Sequence, residues 1–555
     1  MRFPRRRRAV VVAATALVVV VGGGVGGWAL SSSPAAVHHR AHRQVRPTTT
    51  TTTTPATFPG PSGVESSAVI AENALPGTTA WQITGTPPGT IAGFADTTYA
   101  AVGDTVHLYV TTNASTFQVT AYRMGYYGGT GGRQVWQSGP VTGTVQPACK
   151  LTPGINMVSC ENWSSSLAVP ITSQFVPGDY LLKLVGDGGQ QSYVLLTVWD
   201  PNSRATYVFM ARSLTEQGWN TYGGGYSFYQ GRGPCTLGSG SYPPCNRARV
   251  VSFDRPYDTG NGATDFLGAE YPLVFLAEEH GLDVTYVTDI TVNDHPDTLL
   301  QHKALLSLSH DETWTTPERR GAEAALAKGV NVAFLSAAAI VRHARLQASS
   351  LGPDRQEVDY RDSSEDPLNG KGDPLEVTGN TWSAPPTSWP SGGFVGEVYS
   401  GYLYPDAQNA AFVVNQPDAW IFKGTGLQAG STIPGVIASD IDHIDPGASM
   451  PRNIEVLGHS PVPLADAYTN QGKWGASTYS DMTYYTDPRS DAGVFDSGTV
   501  NWINTLLPCP SGQSSCPATL TDQITLNLLW LLGQGPAGSV VPAVANWQSV
   551  NPPGS

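Results

Sequence analysis

No C-x2-C pair, no Walker loop, no dinucleotide fingerprint and no G-x-S-x-G elbow occurs in these 555 residues. Those absences exclude a zinc finger, P-loop and Rossmann nucleotide binding, and the serine chemistry of the α/β-hydrolases. GHSP at Gly458–Pro461 does not fit the elbow, and GGTGGR from Gly128 lies in a β-rich stretch, the wrong context for a phosphate cradle. No period of 20 to 50 residues recurs, so a solenoid or propeller is excluded. Charge is sparse at 14%, and eight arginines (Arg2, Arg5, Arg6, Arg7, Arg8, Arg40, Arg43 and Arg46) precede the first acid, leaving the body more acidic than the −13 of the whole chain. A body of that sign excludes nucleic acid as a partner. With 40% hydrophobic residues, 61 Gly and 43 Pro, the composition is that of a globular chain of several folding units.

Arg5–Arg8 run into Ala9–Leu30, an uncharged and mostly apolar stretch long enough, at about 1.5 Å per residue, to cross a hydrocarbon core. The expectation is a single-pass cell-membrane protein with its body outside; Ser31–Ala36 offers a cleavage site, and secretion, as the alternative. Six cysteines fall into near neighbours, Cys149 with Cys160, Cys235 with Cys245, and Cys509 with Cys516, which suggests three local disulfides and an oxidising compartment. Free buried thiols are the alternative. His38, His39 and His42 adjoin the Thr/Pro stalk and read as solvated.

The body divides by period. From Gly93 to Trp199, short alternating runs (Thr105–Thr111, Gln118–Arg123, Asp179–Leu184) separated by turn residues predict a β-sandwich. Within it YRMGYYGGTGGR, Tyr122–Arg133, reads either as a wide edge hairpin or as a contact with the next domain. After Asp200, apolar runs at Thr206–Ala211, Asp283–Thr288, Ala304–Ser309 and Asn331–Ser336 alternate with helical stretches at Glu270–His280 and Thr316–Lys328, which predicts a mostly parallel sheet with helices on both faces. The fold class expected is therefore multi-domain α/β plus all-β. Its parts are a basic N-terminus (1–8), a transmembrane anchor or signal segment (9–30), a Thr/Pro-rich linker (31–64), a β-sandwich domain (65–200), an α/β domain (201–540) and a tail (541–555).

In such sheets ligands sit outside the carboxyl ends of the strands. Strand Ala304–Ser309 ends in SHDETW, which puts His310, Asp311, Glu312 and Trp314 there; GVIASDIDHID, Gly435–Asp445, ends another apolar run with Asp440, Asp442 and His443. Carboxylates, imidazole and phenols together suit either a hard cation or metal-free acid and base catalysis. The plain alternatives are a helix-capping loop for HDE and a solvated turn for the later acids. The aromatic, glycine-rich stretch Trp219–Tyr229 and the RARVVSFDRPY run ending at Tyr257 read as loops over the strand ends.

These pieces, with WNTYGGGYSFY, VSFDRPY, YPLVFLAEEHGLDVTYVTD, SHDETW, GVNVAFLSA and YYTDPRSDAGVFDSGTVNW in that order, resemble the large (β) subunit family of N,N-dimethylformamidase over most of the chain. The resemblance implies a flavodoxin-like, glutamine-amidotransferase-like α/β domain without the amidotransferase cysteine, hydrolysis of an amide C–N bond, and mononuclear iron held by two tyrosines and a glutamate. Carried over, the glutamate falls on Glu312, the tyrosines on Tyr222 and Tyr257 (with Tyr226, Tyr229 and Tyr271 nearby), and the acid or base roles on His310 and Asp440. Three positions depart from the pattern: Ala338 stands where the family has Asn, with Arg342 in place of a Trp nearby, and Asp440 is one methylene shorter than the family's glutamate. The expected function is an extracytoplasmic, membrane-tethered, metal-dependent amide hydrolase acting on an unknown small amide. A non-catalytic cell-surface binding protein on the same scaffold is the second reading. The small partner subunit of the family's enzyme is not encoded here, and a homo-oligomer is left open.

Overall fold

The computed structural model describes residues 63–233, 245–469, 477–506 and 518–550. The expected membrane segment, residues 9–30, lies outside them. Among the described residues no helix is long and apolar enough to cross a membrane, so they give the single-pass cell-membrane placement no support.

Two sheets face one another over a shared apolar core in the first part of the chain. One orders Ile91–Ala95, Thr105–Thr112 and Leu167–Pro170; the other orders Tyr99–Ala100, Gln191–Val198, Gly178–Gly186, Thr116–Met124 and Gly132–Gln137. Strand alternation builds the core: Val106, Leu108 and Val110 point inward from one sheet to meet Val119, Ala121, Leu182 and Leu196 of the other. Cys149 and Cys160 are bonded to each other, and Cys245 is disulfide-bonded too. Cys235, Cys509 and Cys516 lie outside the described residues.

Asp179 on the third of these strands is buried and accepts from the Thr197 hydroxyl at 2.7 Å. Burial raises its carboxyl to about 6, against the pull of Thr197 and Arg123. A carboxyl raised in the fold stabilises fully below its unfolded pKa near 4, and that contribution is lost as pH rises through about 6. Asp179→Asn should therefore gain about 3 kcal/mol relative to wild type between pH 4 and pH 8, read by urea unfolding at both.

Tyr122–Arg133 makes a contact across the chain. Arg123 donates to Glu278 of helix Tyr271–Glu279 at 2.7 and 3.0 Å, and the Tyr271 hydroxyl donates to Gly131 O at 3.1 Å. Gly131 holds φ +83°, and a Cβ there would stand 2.2 Å from that hydroxyl, so no other residue fits.

The principal sheet orders Val284–Thr288, Tyr207–Ala211, Ala304–Ser309, Asn331–Ser336, Gly493–Asp496, Ser477–Thr486 and Glu455–Pro463. Its first five strands pair in parallel and the last two antiparallel. A four-stranded mixed sheet (Val250–Ser252, Gly352–Val358, Arg342–Ser349, Thr313–Thr315), a three-stranded sheet (Asp440–His443, Val398–Leu403, Ala467–Thr469) and two hairpins complete it. The expected flavodoxin-like, glutamine-amidotransferase-like α/β domain with a mostly parallel sheet is thus corrected: among the described residues strand outweighs helix by 33% to 20%, and the sheets are several and mixed. The physical reason is that short apolar runs bounded by turns do not reveal strand direction, and residues 342–486 build hairpins rather than crossover helices.

Candidate functional site

Strand Ala304–Ser309 is buried throughout and ends in a sharp reversal, with Ser309 at φ +55°. The reversal turns His310 toward the surface and folds Asp311 back inside, where it accepts from the Ser307 hydroxyl at 2.7 Å. Asp311 is structural, and burial raises its carboxyl to about 7. The backbone N–H groups of Glu312 and Thr313 both donate to Thr215 Oγ1 at 3.1 Å, which fixes the loop. Helix Thr316–Leu326 is capped by Thr315 and Glu318 in a reciprocal pair, so Glu312 is released from any capping duty.

Glu312 faces inward with a partner on each oxygen. Arg342 Nε donates to Oε1 at 3.0 Å, and the Tyr229 hydroxyl donates to Oε2. Burial would raise this carboxyl, but Arg342, His310 and Arg361, with the Tyr229 hydrogen bond, outweigh it and hold Glu312 down at about 2. Tyr229 is itself pinned, since Trp219 stacks on it with ring centroids 3.5 Å apart and the Arg361 guanidinium lies 3.7 Å from its centroid.

Asp440 arrives from the far end of the chain. Ser439, at φ +58°, turns the chain into strand Asp440–His443, whose pairing with Val398–Leu403 sets Tyr399 opposite Asp442 and Tyr402 opposite Asp440. Asp440 Oδ2 lies 4.0 Å from His310 Nε2, which is itself 3.8 Å from Glu312 Oε2. Burial raises the Asp440 carboxyl against His310, while Tyr399 and Ser439 bond to it. The two carboxylates flanking His310 are thus pushed in opposite directions, the arrangement that separates an acid from a base. Among the described residues His310 Nε2 has no hydrogen-bond partner, though its side chain retains 13% exposure and Asp440 18%, so the group is reachable from solvent.

Backbone strain gathers here. Ala338 (φ +56°) and Ile340 (φ +53°) follow strand Asn331–Ser336, so four non-glycine left-handed residues border the His310–Asp440 group. Such conformations cost about 1–3 kcal/mol each and persist where surrounding contacts hold them; the Ala338 N–H, for one, donates to Asp442 Oδ1 at 2.8 Å.

Of the residues read from the sequence, the structure brings His310, Glu312 and Asp440 together. Tyr222 packs instead against Trp163, beside Cys149 and Cys160. Tyr257 lines a crevice with Phe94, Phe253 and Arg355. The tyrosines that touch the carboxylates are Tyr229 and Tyr399. Tyr229 closes the WNTYGGGYSFY segment, but its reach cannot be read from spacing, and nothing in the sequence marks Tyr399, which reaches Asp440 only through strand pairing. The DIDH acids belong to a largely buried strand, with Asp442 1% exposed, rather than to a solvated turn.

None of the curated proteins compared with the chain matches it. The family model for the C-terminal region of N,N-dimethylformamidase beta subunit-like proteins matches residues 118–515, from within the second sheet through the whole of the His310–Asp440 site. The chain belongs to the N,N-dimethylformamidase beta subunit-like family.

Proposed function

We propose that the chain hydrolyses amide C–N bonds at the His310–Glu312–Asp440 site, in the oxidising, extracytoplasmic setting that its disulfides favour. Membership of the dimethylformamidase-like family is consistent with an amide hydrolase. The observation that carries the reading is the pair of carboxylates of opposite character, Glu312 held ionised and Asp440 raised by burial, beside an imidazole nitrogen that has no hydrogen-bond partner among the described residues. Asp440 or His310 takes a proton from the attacking water and returns one to the leaving amine, and Tyr399 holds Asp440 in place.

The donor set fits iron at one corner. Among the described residues no three His, Cys, Asp or Glu side chains could hold a metal ion by themselves, so a metal needs tyrosine oxygen. The Glu312 carboxylate and the Tyr229 phenol supply two hard oxygens, with the orphaned His310 Nε2 beside them. Iron held there would serve as a Lewis acid toward the amide carbonyl. Tyr222 and Tyr257 stand apart from this corner. Iron content and the tyrosinate charge-transfer band should accordingly be lost in Tyr229→Phe and retained in Tyr222→Phe and Tyr257→Phe; loss in either of the latter pair would restore the ligand set expected from sequence.

A second reading, a non-catalytic binding protein, is favoured by one observation: Arg342 already compensates the Glu312 charge. Amine release from a panel of short N-formyl and N-acetyl amides separates the two. Release by wild type supports the hydrolase, and none across the panel with the fold intact supports the binder.

A longer carboxylate offers a further check. Asp440→Glu extends the side chain across the 4.0 Å gap to His310 and should raise kcat on a small amide with little change in KM; an unchanged or lower kcat would show that the gap is not limiting.

A further inference from the structure

The three-stranded sheet that carries Asp440 also carries a row of aromatic side chains leading away from it. Asp440 pairs with Tyr402, and Tyr402 pairs on its other side with Tyr468. Residues directly opposite one another across paired strands share a face, so Asp440, Tyr402 and Tyr468 lie in one row, spanning about 10 Å at two strand spacings. The Tyr402 and Tyr468 rings stack with centroids 5.4 Å apart, and Tyr404 meets Tyr402 edge-on at 6.2 Å. Tyr468 is 48% exposed and Tyr404 39%.

A further exposed aromatic adjoins His310. Trp219, 47% exposed, stacks on Tyr229 and has its ring centroid 6.3 Å from that of His310. The strip therefore runs Trp219, His310, Asp440, Tyr402, Tyr468, with the reacting groups in its middle. A site for a free small amide needs no such flanks.

We propose that the substrate carries its amide as an N-acyl group on a neutral sugar chain laid along this strip. The chemistry rests on the hydrolase reading above; the binding does not. Exposed tyrosine and tryptophan present a flat apolar face with a wet edge, which suits a ring having C–H faces and a hydroxyl rim that stays hydrated. The row bears no charge apart from Asp440, and the chain's −13 disfavours an anionic polymer. The outer strand, Ala467–Thr469, has only 3 residues, too short to template an added peptide strand. Hydrolysis there adds water across the amide C–N bond, releasing a carboxylic acid and leaving the amine on the sugar.

The test is calorimetric titration of the full-length chain with a hexamer of β-1,4-linked N-acetylglucosamine. Saturable binding is expected, weakened about tenfold or more in Tyr468→Ala and in Trp219→Ala, and kept in Tyr468→Phe. Thermal unfolding of each variant checks that the fold is intact. No saturable binding, affinity unchanged from wild type in both alanine variants, or equal binding of an N-acetylated alanine hexapeptide would overturn the proposal. Binding with that pattern but without amine release would uphold the sugar strip and overturn the hydrolase reading alone.

Discussion

Asp440→Asn is expected to lower amide hydrolysis by about 100-fold or more, the usual worth of a positioned acid or base. Asn keeps the shape and still accepts from Tyr399 and Ser439, so stability should hold while turnover falls. The substitution removes the ionisable group that lies 4.0 Å from His310 and accepts from Tyr399. The loss should fall on kcat rather than KM, since proton transfer matters in the transition state and not in binding. A loss confined to KM would make Asp440 a binding group. Glu312→Gln should behave differently: it leaves the Arg342 guanidinium without its carboxylate, so both activity and stability should fall.

Arg123→Ala should destabilise the fold by about 3–5 kcal/mol, the cost of leaving a buried charge unpaired. Glu278 is fully buried at the side chain and takes Arg123, Tyr286 at 2.7 Å and Asn73 at 2.9 Å. Arg123 in turn donates to Pro177 O and to the Tyr127 hydroxyl. Removing the guanidinium strands that carboxylate between the second sheet and helix Tyr271–Glu279. The double variant Arg123→Met with Glu278→Leu should recover part of the loss, because two apolar side chains leave no uncompensated charge, although Tyr286 and Asn73 then lose an acceptor. Denaturant midpoints for the two single variants and the double variant measure this, and additive losses would show that the pair is not coupled.

Much of the local structure was legible in the sequence. Ala304–Ser309 and Asn331–Ser336 are strands with the limits their apolar runs indicate, and Thr315, Pro317 and Glu318 open a helix as their capping chemistry requires. The cluster of His310 and Glu312 at a strand end was visible for the same reason. What was hidden is whatever depends on pairing between distant segments. Tyr399 meets Asp440 through antiparallel register, and the hairpins between residues 342 and 486 turned an expected parallel α/β domain into mixed sheets. Tyr222 and Tyr229 are equally plausible by type and spacing; only the path of the loop after Trp219 separates them, one ring going to the Cys149–Cys160 disulfide and the other to Glu312.

The most direct test is the product balance of one N-acyl amide incubated with the full-length chain, amine and carboxylate being quantified together. Equal amounts of both are expected from wild type, and neither above background from His310→Ala or Asp440→Asn. Equal release by those variants, or none by folded wild type, would contradict amide hydrolysis at this site.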